Sequence, residues 1–206
     1  MRILVLAPHT DDAEFGCGGT IARFIANGHD VHSVAFSVAK GVKPDTARET
    51  VRQELIEASA VLGIRRKNLR LLDFEVRTFP QHRQEILDAM ISLQLELDPE
   101  YVFMPSTCDT HQDHQVVSAE GFRAFKRTTI LGYELPWNNL TFTTGAFIPL
   151  SEEHLSRKLL ALRKYKSQKG RPFARAPFIR NLANVRGTQI GVKYAEAFES
   201  IRWVMR

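Results

Sequence analysis

The fold is decided by the stretch Leu4-Val5-Leu6-Ala7-Pro8-His9-Thr10-Asp11-Asp12-Ala13-Glu14-Phe15-Gly16-Cys17-Gly18-Gly19-Thr20. Its start, from Ile3 to Ala7, is an apolar, branched run of strand length, which predicts a buried strand. The run stops at a proline and is followed at once by His9, Asp11 and Asp12. Because ligands of open parallel sheets bind at the carboxyl ends of the strands, we expect the chemistry of the protein here.

A second cluster of the same kind follows another strand-like run. Tyr101-Val102-Phe103-Met104-Pro105 leads into Ser106-Thr107-Cys108-Asp109-Thr110-His111-Gln112-Asp113-His114. One such cluster is weak evidence, because Asp after a strand also makes turns and helix caps. An open catalytic zinc site needs three protein ligands and a free position for water. His9, Asp12 and one histidine of the second cluster would supply the ligands and leave Asp11 free as a base.

These two motifs resemble those of the LmbE-like (PIG-L) zinc-dependent N-deacetylases. The family's first motif is Pro-His-Pro-Asp-Asp before a Gly-rich helix entry, and its second is His-x-Asp-His; this chain has both, at residues 8–19 and 111–114. The similarity extends to Glu54-Leu55, Leu62-Gly63, Ser167-Gln168 and Tyr194-Ala195-Glu196-Ala197-Phe198. The resemblance implies an α/β, Rossmann-like three-layer fold with a mainly parallel sheet, in one domain over residues 1–206.

The resemblance also implies roles for the residues of both motifs. The implied ligands of Zn²⁺ are His9, Asp12 and His114. The implied catalytic residues are Asp11, His111 and Asp113. Asp11 would deprotonate the zinc-bound water, His111 would stabilise the oxyanion or protonate the leaving amine, and Asp113 would hold the ring of His111 and favour its protonated form.

Two positions depart from the family pattern. Thr10 stands where the family usually has proline, which loosens the turn but removes no ligand. Asp109 stands where some members have a tyrosine, so any help from a tyrosine to the oxyanion is lost or comes from elsewhere. Tyr194 is a candidate replacement.

The candidate substrate-binding residues are Arg48, Arg52, Asp73, Trp137, Arg186 and Tyr194. The family places an arginine where this chain has Val51, so either flanking arginine could take its place, or each could make an ordinary ion pair on a helix surface. Asp73 matches a family acid that lines the sugar pocket. Trp137 could stack on a sugar ring, or it could simply pack while half-buried.

The basic residues are unevenly spread. The chain has 28 Lys and Arg against 23 Asp and Glu, and between Arg157 and Arg186 there are ten basic residues and no acidic one. Such a run can be a solvated helical face, a subunit interface, or a wall that faces an anionic substrate such as a phosphate-bearing sugar. Arg186 belongs to that wall in the last interpretation. No nucleic-acid recognition module is visible.

Length and composition define the class of protein. With 206 residues, 44% of them hydrophobic, the chain suits one globular domain, and no apolar run reaches the length of a membrane span. The N-terminus enters a strand without a signal peptide, so we expect a cytoplasmic protein. Two cysteines, Cys17 and Cys108, are too few for a disulfide framework, and we expect buried fillers in preference to metal ligands.

Hydrophobic periodicity predicts the remaining elements. After a Gly-rich turn we expect a helix from Thr20 to Asn27 and a strand over 31–38. A loop over 40–45, at the rim of the site, precedes the next elements. Further predicted helices cover about 47–62, 80–97, 114–126, 151–166 and 178–185, and further strands cover 69–73, 101–105, 129–135 and 141–149.

The sequence thus predicts a zinc-dependent hydrolase that removes the N-acetyl group of an N-acetylglucosamine-type sugar and releases acetate. An alternative is a non-catalytic metal- or sugar-binding protein on the same scaffold. A nucleotide-dependent oxidoreductase is disfavoured, because the third glycine of a GxGxxG motif would fall at Ile21. The identity of the sugar and the oligomeric state, including a homo-oligomer, stay open.

Overall fold

The protein, seen here in a computed structural model, forms a mainly parallel sheet between two layers of helices. The structure describes residues 1–41 and 46–205, so most of the loop predicted over 40–45 lies outside the described residues. The strands are β1 (Arg2–Ala7), β2 (Asp30–Ala35), β3 (Leu69–Leu71), β4 (Tyr101–Pro105), β5 (Thr129–Tyr133), β6 (Ala146–Leu150) and β7 (Tyr194–Arg202). Their spatial order is β3-β2-β1-β4-β5-β7-β6.

Strand direction divides the sheet into two parts. Strands β1 to β5 run parallel to one another, whereas β7 runs antiparallel to both β5 and β6. The apolar run that begins the chain is therefore a central strand, as predicted. Because β1 and β4 are direct neighbours, their carboxyl ends lie side by side, and the residues that follow Ala7 and Pro105 meet at one edge of the sheet.

Helices cover both faces of the sheet. They are α1 (Asp12–Ala26), α2 (Thr46–Leu62), α3 (Arg83–Leu97), α4 (Gln112–Ala124), α5 (Glu152–Leu162) and α6 (Ala176–Thr188). Residues Ile3 and Val5 of β1 join the apolar cluster under α1, α2, α5 and α6, whereas Leu4 and Leu6 join the cluster under α3 and α4. Both faces of β1 are thus buried, which explains why its sequence is continuously apolar.

The prediction of a Gly-rich turn before the first helix is wrong. Helix α1 starts at Asp12 and runs through the glycines, with non-helical backbone angles at Cys17. A Cβ atom on Gly16 would lie 2.4 Å from Cδ2 of Tyr133, and one on Gly19 would lie 2.5 Å from Cδ1 of Leu150. The glycines serve close packing of α1 against strands β5 and β6, which a local turn signal cannot reveal.

Other boundaries differ by a few residues. Helix α4 begins at Gln112 and not at His114, because the Nδ1 atom of His111 accepts a hydrogen bond from the backbone N–H of Asp113 and caps the helix. Ser151 caps α5 as predicted. The closing segment of the chain is the inserted strand β7. Among the described residues, no helix is long and apolar enough to cross a membrane.

Candidate metal centre and catalytic cleft

The two sequence motifs meet at the carboxyl edge of β1 and β4. The His9 Nδ1 atom lies 3.2 Å from the His114 Nε2 atom and 3.3 Å from the Asp12 Oδ2 atom. The His114 Nε2 atom lies 3.2 Å from the same Asp12 oxygen. Three potential ligand atoms from distant parts of the chain therefore form a nearly equilateral triangle.

Each histidine of this triangle is fixed by a buried carboxylate. The His9 Nε2 atom lies 2.9 Å from the Asp113 Oδ2 atom, and the His114 Nδ1 atom lies 2.8 Å from the Asp109 Oδ2 atom. Asp113 and Asp109 are 0% and 2% exposed. If each ring donates its N–H to its carboxylate, the other nitrogen presents a lone pair to the triangle, which is the usual arrangement of histidine ligands.

The electrostatics of the triangle favour positive charge. Burial opposes the charged form of His9, but hydrogen bonds to Asp113 and Asp12 outweigh it and raise its pKa to about 9. For His114, burial is likewise outweighed by Asp12 and Asp109, which raise its pKa to about 10. The pKa of Asp12 is held well below its usual range, because His114 and His9 outweigh the effect of burial. A divalent cation can replace the protons that these groups otherwise retain.

The donor set fits a zinc-type ion. Zinc binds nitrogen and carboxylate oxygen at about 2.0–2.2 Å in tetrahedral geometry, which places neighbouring ligand atoms about 3.3–3.6 Å apart. The three distances in the triangle, 3.2, 3.3 and 3.2 Å, match this spacing closely. Three protein ligands leave one tetrahedral position over, which is typical of catalytic and not of structural sites.

His111 lies beside the triangle. Its ring centroid is 4.8 Å from that of His9 and 4.7 Å from that of His114, and the three histidines offer ligand atoms within 4.8 Å of one another. Asp12 is nevertheless the closer third partner of His9 and His114, at 3.3 and 3.2 Å. Burial and the two neighbouring histidines lower the pKa of His111, which favours its neutral form.

The predicted partnership between Asp113 and His111 is wrong. The Asp113 carboxylate bonds to the His9 ring and also accepts the backbone N–H groups of Arg77, at 2.7 Å, and Phe79, at 3.4 Å. Its contact with His111 is through the backbone, whose N–H donates to the Nδ1 atom of His111 at 3.1 Å. Because Nδ1 accepts, the neutral ring of His111 carries its proton on Nε2.

Asp11 is half-buried beside the triangle. It precedes α1, yet its carboxylate makes no capping hydrogen bond. Burial and the negative charge of Asp12 raise the pKa of Asp11 to about 6. Asp11, His9 and His111 line one cleft of about 410 Å³, together with Arg77, Gln168 and Arg171. A carboxylate that lines this cleft beside the triangle is a candidate general base.

Three predicted substrate-binding residues line a different groove. Arg48, Arg52 and Asp73 surround an open groove of about 670 Å³, where Arg48 pairs with Asp73 and Arg52 with Glu49. Val51, which occupies the family's arginine position, faces the cleft itself. Arg52 lies one position along the helix from Val51 and is therefore directed to a different side, whereas Arg48, three positions away, pairs with Asp73 in the other groove.

The other three predicted substrate-binding residues are engaged elsewhere and are not among the cleft-lining residues. The ring of Trp137 stacks on Phe173 with centroids 4.0 Å apart. Arg186 makes a two-pronged ion pair with Glu134, and the hydroxyl of Tyr194 accepts a hydrogen bond from Arg180 at 2.9 Å. Their binding roles stay predictions that these contacts do not support.

Several supporting residues were missed from the sequence. Tyr165 is buried, and its hydroxyl donates to the carbonyl oxygen of Thr10. Buried Glu54 accepts hydrogen bonds from the backbone N–H and the hydroxyl of Ser167, at 3.0 and 2.6 Å, and so fixes one wall of the cleft. The sequence signal for Glu54 was present, since it belongs to the family-like positions, but its partner lies more than a hundred residues away.

A buried ion pair stabilises the kink in α1. Glu196 accepts the backbone N–H groups of Gly19 and Thr20, at 3.0 and 2.7 Å. Lys158 donates to Glu196 and to the carbonyl oxygen of Phe15, both at 2.6 Å. These contacts satisfy backbone groups that the kink leaves without helical partners. Cys17, at the kink, is fully buried and free, as predicted for a filler, whereas Cys108 is free but only half-buried, so the prediction of a buried filler is wrong there.

Comparison with known proteins assigns the chain to a family. Residues 4–125 match the family PIG-L: GlcNAc-PI de-N-acetylase, and the chain belongs to this family of deacetylases. An uncharacterized deacetylase of Escherichia coli is 30% identical over 169 residues, which cover 80% of this chain and 90% of that protein. Diacetylchitobiose deacetylase of Thermococcus kodakarensis is 26% identical over 227 residues, which cover 97% of this chain and 83% of that protein.

A solved structure shows the same fold. The N,N'-diacetylchitobiose deacetylase of Pyrococcus horikoshii superposes with a TM-score of 0.79 at 23% identity, over 96% of this chain and 82% of the other. The α/β three-layer architecture predicted from the sequence is therefore confirmed.

Proposed function

We propose that the protein is a metal-dependent hydrolase that removes the N-acetyl group from an N-acetylglucosamine-type sugar and releases acetate. The observation that carries the proposal is the triangle of His9, Asp12 and His114, with both second ring nitrogens bound to buried carboxylates. Family membership supports the deacetylase reaction, and the relative from Thermococcus is named for an N-acetylated sugar substrate. We propose Zn²⁺ as the metal.

The residues of the cleft divide the work of amide hydrolysis. When bound, the cation supplies Lewis acidity toward water and the amide carbonyl. Asp11 accepts the proton of the attacking water, since it lines the cleft and its pKa, raised to about 6, suits proton transfer near neutral pH. His111, with its proton on Nε2, donates a hydrogen bond to the developing oxyanion. Asp11, which holds the proton taken from the water, then delivers it to the departing amine and returns to its ionised form.

Metal analysis and product analysis together test this proposal. Elemental analysis of the purified protein should give about one equivalent of zinc for each chain, if one ion occupies the triangle. Incubation with a panel of N-acetylated sugars, sugar phosphates and chitin fragments should release acetate from at least one class. Variants His9→Ala, Asp12→Ala and His114→Ala should lose both metal and activity.

The same experiment separates the alternative function. A non-catalytic sugar-binding protein would bind the metal and a sugar but release no acetate from any member of the panel. Retention of metal by all three alanine variants would contradict the proposed ligand set.

A further inference from the structure

The ten basic residues between Arg157 and Arg186 fall into two structural groups. Five of them are paired with named acids: Arg157 with Glu153, Lys158 with Glu196, Lys164 with Glu57, Arg180 with Glu152 and Arg186 with Glu134. The paired residues have structural partners, so their charges are already neutralised locally.

The other five line one surface groove. They are Arg163, Lys166, Lys169, Arg171 and Arg175. Within residues 1–41 and 46–205, no carboxylate lies within ion-pair distance of any of them. Glu57 influences Lys166 only beyond that distance and is itself paired with Lys164. We call this groove, which has a volume of about 300 Å³, the basic groove.

The basic groove is continuous with the catalytic cleft. Arg171 and Gln168 line both of them. A ligand whose acetamide lies beside His9 can therefore extend past these two residues into the groove. The chain segment that forms the groove is connected to the cleft wall by the hydrogen bonds from Ser167 to the buried carboxylate of Glu54, at 3.0 and 2.6 Å. The groove thus has a fixed position relative to the catalytic residues.

We propose that the basic groove is a subsite for a phosphoryl group carried by the N-acetylated sugar substrate. Five cationic side chains without an acid suit a group that bears more than one negative charge. Three of the five are arginines, whose planar donors match phosphate oxygens in pairs. This inference rests on the proposed deacetylase function, because it assigns the groove to the same substrate.

Direct binding tests the groove without turnover. Calorimetric titration of the metal-loaded protein with inorganic pyrophosphate should show binding, and Arg163→Gln/Arg175→Gln should weaken it by about tenfold or more. The matched control is Arg157→Gln/Lys164→Gln, which removes the same charge from the same stretch at residues outside the groove; it should change the affinity less than about twofold. Equal effects of the two pairs, or of neither, would overturn the proposal.

Kinetics connect the groove to catalysis. The ratio of kcat/KM for N-acetylglucosamine 1-phosphate to kcat/KM for N-acetylglucosamine should fall about tenfold in the groove variant and stay constant in the control. Absence of acetate release from every sugar, with selective pyrophosphate binding intact, would refute the deacetylase function and not the anion site.

Vesicles and RNA distinguish other sources of phosphate. Vesicles of phosphatidylcholine with phosphatidylinositol, compared with phosphatidylcholine alone, show whether a lipid headgroup is the carrier. Groove-dependent binding of these vesicles together with a constant kinetic ratio for the soluble sugars would overturn the assignment to a soluble phosphorylated sugar. Groove-dependent binding of a single-stranded RNA, without any effect on pyrophosphate, would overturn the subsite itself.

Discussion

The role of Asp113 gives the sharpest test of the site. Its carboxylate accepts the His9 ring N–H at 2.9 Å and the Arg77 backbone N–H at 2.7 Å on the same oxygen. We predict that Asp113→Asn weakens metal binding without removing it. The reason is that an amide oxygen can keep both contacts but lacks the negative charge that orients and polarises His9 as a ligand.

The size of the effect follows from these contacts. A hydrogen bond to a charged group contributes about 1.5–3 kcal/mol, and a neutral acceptor keeps about half of it. The new amide group also turns a donor toward the Phe79 N–H, which lies 3.4 Å from the second carboxylate oxygen. Together these changes amount to about 1.5–2.5 kcal/mol, or about a tenfold to seventyfold loss of metal affinity.

Competition with a chromophoric zinc chelator measures that affinity, and acetate release at saturating zinc measures the remaining kcat. We expect a raised metal dissociation constant with kcat reduced much less. Unchanged affinity with a large loss of kcat would refute this reasoning and support the sequence-based assignment of Asp113 to His111. Asp109→Asn is the matched comparison, since Asp109 has the corresponding position on His114 at 2.8 Å.

Three further predictions follow from other parts of the site. Asp11→Asn should keep bound metal but lower kcat by about two to four orders of magnitude, as measured by acetate release; a rate near wild type would remove Asp11 as the base. The pKa values of His9 and His114 are raised to about 9 and 10, so these two groups should stabilise the metal-free protein fully below pH 6.5 and lose that contribution as pH rises through 9–10. Thermal melts of zinc-loaded protein should show a smaller loss over the same pH range, and parallel pH profiles for the two forms would contradict this. Lys158→Met should lower the free energy of unfolding in urea by about 3 kcal/mol, because it leaves the buried charge of Glu196 without its partner. The double variant with Glu196→Gln should recover part of that loss, and no recovery would show that packing dominates.

The sequence predicted the centre of the protein better than its periphery. The strand before His9 and the strand before His111 could be recognised because buried parallel strands have continuous apolar runs with sharp ends. Their adjacency then brings the two motifs together. The hydrogen-bond partners of the carboxylates were harder to assign. Asp109, His111 and Asp113 lie within five residues of one another, and local spacing does not determine which histidine ring each carboxylate reaches.

Substrate-binding residues were predicted least well. Arg52 adjoins Val51, which faces the cleft, and a helix directs adjacent residues to different sides. Arg48 instead pairs with Asp73 in the separate groove, a contact that only the tertiary structure determines. The cleft instead contains Arg77 and Arg171, from a loop and from an irregular segment. Such segments have no periodicity, so their side-chain directions depend on tertiary contacts such as the one between Glu54 and Ser167.

One oxygen of Asp113 joins the interior of the site to its outer edge. Arg77 has a backbone φ of 69°, which is costly for a residue with a Cβ atom, and its N–H is secured by the same oxygen that receives the His9 ring. Loss of this oxygen's negative charge, as in Asp113→Asn, would therefore weaken both contacts and favour release of the strained residue. The peptide bond after exposed Arg77 would then become a better substrate for trypsin, so cleavage at this point would report whether the shared oxygen still holds the two segments together.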